Sequence, residues 1–158
     1  MYKRQLADKA SVRFGTYELP RLDEKALRLS SLIAVRKSER VPAAERSTTN
    51  PLYVGDQLLY PSMGEPFKKS EAKELPFYFV AYPAPGGTPV QATLLLASNG
   101  QKLAEAPLEL AAPAADGRIV QVSRIPLEAL GPGTYELRVS VRQGAVSATR
   151  GVTFRLVP

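Results

Sequence analysis

The chain has 158 residues, no cysteine and no histidine, and its 21 Lys and Arg outnumber 15 Asp and Glu, which gives a net charge of +6. The missing cysteines exclude disulfides, thiolate zinc sites and cysteine nucleophiles, and the missing histidines remove the usual general base near neutral pH. The length suits one domain with a self-sufficient hydrophobic core. Fourteen prolines, mostly between apolar runs, are typical of short strands joined by turns.

The excess positive charge is spread along the chain and does not form a block. Cations such as Arg36, Lys68, Arg138 and Arg142 stand near acidic residues or at alternating strand positions. This pattern predicts a solvated surface, so no nucleic-acid partner is expected. Residues 77–84 are the longest apolar candidate, and they fall far short of the roughly 20 residues that cross a bilayer, so no membrane span is expected.

The first residues carry no apolar signal-peptide core. Residues 1–5 resemble a spurious start that recurs on proteins predicted from assembled environmental reads, so residues 1–10 are interpreted as spurious or disordered, and the reading frame is expected to continue upstream. Residues 11–20 are predicted to form a first strand or the end of a preceding β-domain, because residues 11–18 alternate and stop at a proline. The main domain is predicted to span residues 21–158.

The first half of that domain combines short strands with polar loops. In residues 21–29 a helix capped by Asp23 competes with an alternating strand, and we favour a strand that continues through Val35. Residues 36–50 are predicted to be a long surface loop, residues 52–61 one or two short strands, and residues 62–74 a second polar loop.

The next segments contain the strongest strand signals. Residues 76–83 are apolar on both faces and are predicted to form the central, most buried strand. Residues 90–97 are expected to pair with residues 102–110 across a turn at Asn99-Gly100, because Asn-Gly between apolar runs is the strongest short-range hairpin signal.

The C-terminal segments continue this pattern. Residues 118–125 are predicted to form a strand, residues 126–130 a single helical turn, and residues 135–142 and 146–156 the final hairpin. Together the elements predict an all-β fold, an immunoglobulin-like or fibronectin III-like antiparallel β-sandwich with about seven to nine strands.

A turn and the strand that follows it are the most informative stretch of the sequence. Leu130, Pro132 and Gly133 lead into Tyr135, after which apolar and polar residues alternate. A tyrosine at this place suits a corner in which the ring packs inside and the hydroxyl bonds to upstream backbone. These residues, with Asn99 and Gly100, are therefore predicted to have structural roles.

Two sequence patterns resemble catalytic sites, but each has a simpler explanation. Ser70 and Lys73 match S-x-x-K, in which a lysine activates a serine nucleophile, but the other elements of that machinery are missing and the match is attributed to chance. Pairs of glutamates at 71 and 74 or at 105 and 109 are interpreted as solvated charge, because spacing along one strand does not place carboxylates across a cleft.

Aspartates and tyrosines offer two further candidate sites. Asp56 and Asp116 stand alone beside glycines, which suits turns better than calcium ligation. Four tyrosines would form a binding platform for sugar or peptide if they shared an exposed face, although alternation predicts that about half of them lie in the core: Tyr53, Tyr60, Tyr78 and Tyr82. No catalytic, cofactor-binding or metal-ligating residue is predicted.

The order of several segments resembles a known family region. Residues 29–33, 50–56, 60–66 and 75–79, followed by the Pro-Gly-x-Tyr-x-Leu-x-Val corner, are similar to the C-terminal region of bacterial exported proteins whose upstream part is a von Willebrand factor type A related domain. The likeness covers roughly residues 11–158. It implies an extracytoplasmic accessory module, and it carries over no metal or adhesion residue because the D-x-S-x-S motif is absent from this sequence.

The predicted function is a non-enzymatic spacer or protein-interaction module of a larger exported protein, without a cofactor. Its expected partners are other domains of the parent chain or another envelope protein. The alternative is a carbohydrate or cell-envelope binding module that uses an exposed sheet face. The oligomeric state is left open.

Overall fold

A computed structural model describes residues 23, 25–46 and 49–158. These residues form two β-sheets that pack face to face. The predicted strand at residues 11–18 and the interpretation of residues 1–10 lie outside the described residues. The described residues contain eleven strands and one short 3-10 helix, Ala43–Glu45.

The strands, in chain order, are β1 Arg28–Leu29, β2 Ile33–Arg40, β3 Tyr53–Val54, β4 Gln57–Pro61, β5 Phe67–Lys68, β6 Glu74–Tyr82, β7 Gln91–Ser98, β8 Gln101–Leu108, β9 Ile119–Pro126, β10 Gly133–Gln143 and β11 Val146–Val157. Sheet 1 contains β1, β2, β3, β4, β6 and β9, and sheet 2 has the order β5-β11-β10-β7-β8. Within the described ranges only the β5 and β11 pair is parallel. The predicted all-β, two-layer architecture is confirmed, and the immunoglobulin-like or fibronectin III-like topology stays a prediction.

The interior lies between the two sheets, as the alternating patterns predict. Sheet 1 contributes Leu75, Phe77 and Phe79 from β6, all fully buried. Sheet 2 contributes Leu137 and Val139 from β10, also fully buried. Alternate side chains of each strand therefore point inward and fill one continuous core between the two sheets.

β6 is the central strand of sheet 1, and this prediction is confirmed. It pairs with β9 along one side and with β1 and β2 along the other. The strand predicted through Val35 is interrupted between β1 and β2. Ser30 still binds β6 there, because its N–H donates to the Val80 carbonyl at 2.9 Å and its hydroxyl accepts from the Val80 N–H at 2.8 Å.

Several local predictions are wrong. The described residues have eleven strands and not seven to nine, because the strand predicted through Val35 is split in two and β5 pairs with β11 inside the predicted loop at residues 62–74. Residues 36–50 are not all loop, because β2 continues to Arg40 and pairs with β4 after a register shift between Val35 and Lys37. The polar side chains of that extension point to solvent, so hydrophobic alternation gave no signal for it. The predicted helical turn at residues 126–130 is instead a hydrogen-bonded turn, in which the Leu130 N–H donates to the Leu127 carbonyl at 3.1 Å.

Both predicted hairpins are present. β7 and β8 join through Asn99 and Gly100, whose φ angles of 50° and 78° are those of a two-residue turn that matches strand twist. β10 and β11 pair along eleven registered residues around a turn at Gly144. The two hairpins place β7 beside β10 and so build most of sheet 2.

Candidate functional site

The S-x-x-K residues lie in an exposed turn after β5. Ser70 and Lys73 are both exposed, and in the described part of the chain no hydrogen bond joins their side chains. They line an open cleft of about 760 Å³ with Arg36, Glu74 and Arg124. A serine nucleophile needs a base within hydrogen-bond reach, so this arrangement does not assemble an activated serine.

Three of the four glutamates selected from the sequence form ion pairs with neighbouring cations. Glu71 accepts a hydrogen bond from Lys68 at 2.9 Å, and this bond lowers the pKa of Glu71. Glu74 pairs with Arg124 at 3.3 Å, while Glu105 pairs with Lys102 at 2.8 Å, on opposite sheets. All of these groups are exposed, so they behave as surface ion pairs of small energetic value.

The aspartates take part in turns. Asp56 lies 3.3 Å from Arg40, and its carbonyl accepts from the Val41 N–H. Asp116 accepts two hydrogen bonds from Arg118, the shorter from Nε at 2.6 Å, and these lower the pKa of Asp116. The residues that the structure describes contain no group of three or more acidic side chains that would hold a metal ion.

The four tyrosines do not share one exposed surface. Tyr78 is buried, and its hydroxyl donates to the Pro51 carbonyl at 2.9 Å. Tyr82 is partly covered by the guanidinium of Arg28, while Tyr60 is 39% exposed and donates to Glu39. A flat aromatic platform of the kind considered from the sequence is therefore not formed.

The turn before β10 holds Tyr135 as an anchor between backbone and core. Its hydroxyl donates to the Gly131 carbonyl at 2.8 Å, and its ring stacks on Phe154 with 5.5 Å between centroids. The ring also lies against Gly133. Leu130 packs on the core and Pro132 is exposed. Leu130 and Tyr135 therefore contact the core, while Asn99 and Gly100 lie exposed at the turn between β7 and β8.

A second apolar cluster, which the sequence analysis did not predict, lies on the outer face of sheet 1. We call this surface the outer apolar face, and it consists of side chains from β2, β6 and β9 that point away from sheet 2: Ile33, Val35, Tyr78, Val80, Tyr82, Val120 and Val122. Residues 51–54 cover part of it, through Leu52 and Val54. The signal for this surface was the apolar character of residues 76–83 on both strand faces.

The side of the outer apolar face that lies on β9 remains open. Val122 keeps 37% of its surface exposed, and Val120 is partly exposed. β9 pairs with β6 along one side, and no strand among the described residues pairs with its other side. An edge strand beside exposed valines is a surface on which another chain can add.

A cleft of about 530 Å³ lies at one end of this face. Its charged residues are Arg28, Asp116 and Arg118, and much of the remaining lining is proline and other apolar side chains. The Arg28 guanidinium carbon lies 5.0 Å from the centroid of the Tyr82 ring. Arg28 stands opposite Tyr82 in the register of β1 and β6, so the strands themselves position this pair.

The loop that walls this cleft is held by one buried amide. Gln143 is 8% exposed, and its Oε1 accepts from the Ala84 N–H at 2.7 Å. Its Nε2 donates to the carbonyls of Ala84 and Thr88. A Cβ on Gly87 would lie 2.8 Å from the Gln143 Cδ, so only glycine permits this close approach. Gln143 therefore ties this loop to β10.

Within the described part of the chain, no helix has the length and apolar character needed to span a bilayer. No protein-family model matches the chain, and no curated protein matches it either.

Proposed function

We propose that this chain is a non-enzymatic protein-interaction domain, an accessory module of a larger exported bacterial protein. The partner is an extended strand from another domain of the parent chain or from another envelope protein. It adds to the side of β9 that no described strand pairs, where its side chains pack beside Val120 and Val122 on the outer apolar face. The observation that carries this proposal is the pair Val120 and Val122, which lies outside the main core beside a strand edge that no described residue pairs.

Strand addition fits the chemistry of this edge. An edge strand offers backbone donors and acceptors for a new ladder, while alternate side chains select the partner. On β9 and the residue before it, Arg118 and Arg124 flank Val120 and Val122 on the same face. Both arginines already pair within the chain, with Asp116 and Glu74, so the selective contact is apolar: a complementary strand has small apolar residues beside Val120 and Val122.

A binding role also accounts for the lack of assembled catalytic groups in the described residues. Ser70 and Lys73 are exposed and share no hydrogen bond, and Glu71 is engaged by Lys68. The exported location is supported by the resemblance of residues 29–33, 50–56 and 60–66 to the C-terminal region of von Willebrand factor type A related proteins. The binding role and the exported location are both part of the proposed function.

Photocrosslinking from position 122 in source cells tests the proposal. With benzoylphenylalanine in place of Val122, we expect one discrete adduct, whose crosslinked peptide is an extended apolar segment of an envelope protein or of the parent chain. Thr153, exposed on the outer face of sheet 2, is the matched control position and is expected to trap nothing. Equal products at both positions, or no adduct at 122, would contradict the proposal.

Introducing a charge at position 122 provides a second test of the proposed interaction. Val122→Glu changes an exposed residue, so the free energy of unfolding is expected to change by less than about 0.5 kcal/mol. The same substitution is expected to prevent trapping from position 120, because the new carboxylate would lie directly beside the apolar side chains of the added strand. Undiminished trapping would show that the adduct does not report on the outer apolar face.

A further inference from the structure

We propose that the cleft formed by Arg28, Tyr82 and the loop of residues 83–90 binds a carboxylate group carried on an apolar peptide segment. This inference rests on the proposed function, because it supplies the chemistry of one contact with a protein partner. The evidence for it is separate, because it comes from Arg28 and the cleft and not from the valines of β9.

Arg28 has an unusual combination of burial and missing partners. Its Nε is buried and has no hydrogen-bond partner, and no ion pair of Arg28 occurs within the residues that the structure describes. A buried donor without a partner is costly, and most such groups in folded proteins are satisfied. The side chain is held in place by the Tyr82 ring, so its orientation is set without a counterion.

The second arginine of the cleft shows what Arg28 lacks. Arg118 donates from Nε to Asp116 at 2.6 Å, and its NH2 group lies 2.6 Å from the same carboxylate oxygen. Its charge is therefore compensated within the chain. Arg28 is the cleft's uncompensated positive charge among the described residues, and its planar guanidinium matches the two oxygens of a carboxylate.

The net charge of the cleft favours a ligand group with one negative charge over a dianion. Two arginines and one aspartate leave one net positive charge. A dianion such as a phosphate monoester would meet the Asp116 carboxylate as well as Arg28, whereas a single carboxylate neutralises Arg28 without excess charge.

The lining of the cleft favours a carboxylate that is attached to an apolar peptide segment. The apolar lining contains four prolines and two aliphatic side chains: Pro83, Pro85, Pro89, Val90, Pro113 and Ile119. The volume of about 530 Å³ lies in the range of pockets that enclose small ligands. Because Gln143 already holds the loop, a short peptide binds without having to order this wall.

Nuclear magnetic resonance titration of the full chain tests the inference. The probes are N-acetyl-prolyl-leucine with a free carboxylate, the same dipeptide as its C-terminal amide, and N-acetyl-aspartyl-leucine amide. We expect the first probe to shift the Arg28 Nε–H signal and the amide signals of Ala84 and Gly87, and the uncharged amide to leave them unchanged. If the aspartyl probe also shifts these signals, the cleft accepts side-chain carboxylates as well as a C-terminal one. If it does not, the cleft accepts only the carboxylate at the end of a chain. Equal responses to charged and uncharged probes, or no response at millimolar concentration, would overturn the inference.

Three variants show whether Arg28 is responsible. Arg28→Gln is expected to raise the Kd for the free-carboxylate probe at least tenfold, and Arg28→Lys to weaken binding less, because lysine keeps the charge but not the planar fork. The double variant Asp116→Asn, Arg118→Gln, the matched control, is expected to retain binding, because it removes one charge of each sign and leaves Arg28 and the net charge of the cleft unchanged. Unchanged affinity in Arg28→Gln would reject the assignment, provided that its amide spectrum shows a folded chain.

The two proposals fail separately. Carboxylate binding that persists in Val122→Glu, together with no adduct from position 122, would reject the interaction surface on β9 and leave the cleft supported. Discrete trapping at position 122 with no carboxylate response would reject the cleft alone.

Discussion

At the scale of single residues, the described structure depends on a few side chains that tie loops to the core. Tyr135 does so through one hydrogen bond to Gly131 and one ring stack on Phe154. Gln143 does so through three hydrogen bonds to the loop of residues 83–90. A buried polar group contributes most when all of its partners are present, so both residues are expected to be sensitive to substitution.

Tyr135→Phe tests the value of the hydroxyl. The ring stack would remain, and the Gly131 carbonyl would lose its donor, so we expect a loss of about 1 kcal/mol in the free energy of unfolding, measured by urea denaturation. Tyr60→Phe is the matched control, because its hydroxyl bonds to Glu39 at an exposed site, and it should cost less than about 0.5 kcal/mol. Equal costs for both would refute a buried role for Tyr135.

At the scale of elements, burial divides the strands into two groups. The inward residues of β6 and β10 are fully buried, as Phe77 and Val139 illustrate. β8, in contrast, is exposed along nearly its whole length and lies at the edge of sheet 2. Lys102 and Pro107 in β8 are residues that commonly protect an edge from pairing, and β9 lacks an equivalent along its first five residues.

Hydrogen exchange should follow this division. Amides of β6 and β10 that bond within their sheets are expected to exchange through global unfolding, because opening them exposes the core. Amides of β8 should exchange faster by at least tenfold. β9 is the matched comparison, since it is also an eight-residue edge strand but buries Ile119 and Ile125. If β8 were protected as well as β6, the exposed edge described here would be incorrect.

At the scale of the whole molecule, the titratable groups predict a broad pH plateau. A hydrogen bond from Lys68 lowers the pKa of Glu71 below 4.5, and a hydrogen bond from Arg118 lowers the pKa of Asp116 below 3.8. Burial raises the pKa of Tyr78 above 10.0. With no histidine in the chain, no side chain titrates between these limits at its ordinary pKa.

The sign of each contribution follows from linkage. Carboxylates with a lowered pKa stabilise the fold above their unfolded pKa, and that contribution is lost as the pH falls through the folded pKa. Tyr78, with a raised pKa, stabilises the fold below its unfolded pKa and loses this contribution as the pH rises through the folded pKa. We therefore expect a constant urea midpoint between about pH 5.5 and 9 and a decline on both sides.

The alkaline decline has its own control. Tyr78→Phe removes the buried hydroxyl, so the decline above pH 10 should be smaller in this variant, although its midpoint at neutral pH is expected to be lower because the hydrogen bond to Pro51 is lost. A change in the urea midpoint across the neutral range would contradict the predicted plateau.

Several elements could be predicted because their signals are local. The turn at Asn99-Gly100 requires positive φ angles that few residues adopt, and the alternation after Tyr135 places one strand face in the core. The polar extension of β2 to Arg40 was missed, because its stability comes from pairing with β4 and not from its own composition. Propensity alone does not register such partners.

By itself, the sequence determined the two-layer all-β architecture, the central position of β6 and the two hairpins, because side-chain period and turn chemistry act over a few neighbouring residues. Only the tertiary structure decided that a second apolar cluster lies outside the main core and that Arg28 lies over Tyr82 with no counterion among the described residues. These features depend on residues from β1, β6 and β9, which are far apart in the chain. Their meeting is set by strand register, and no local pattern encodes register between distant strands.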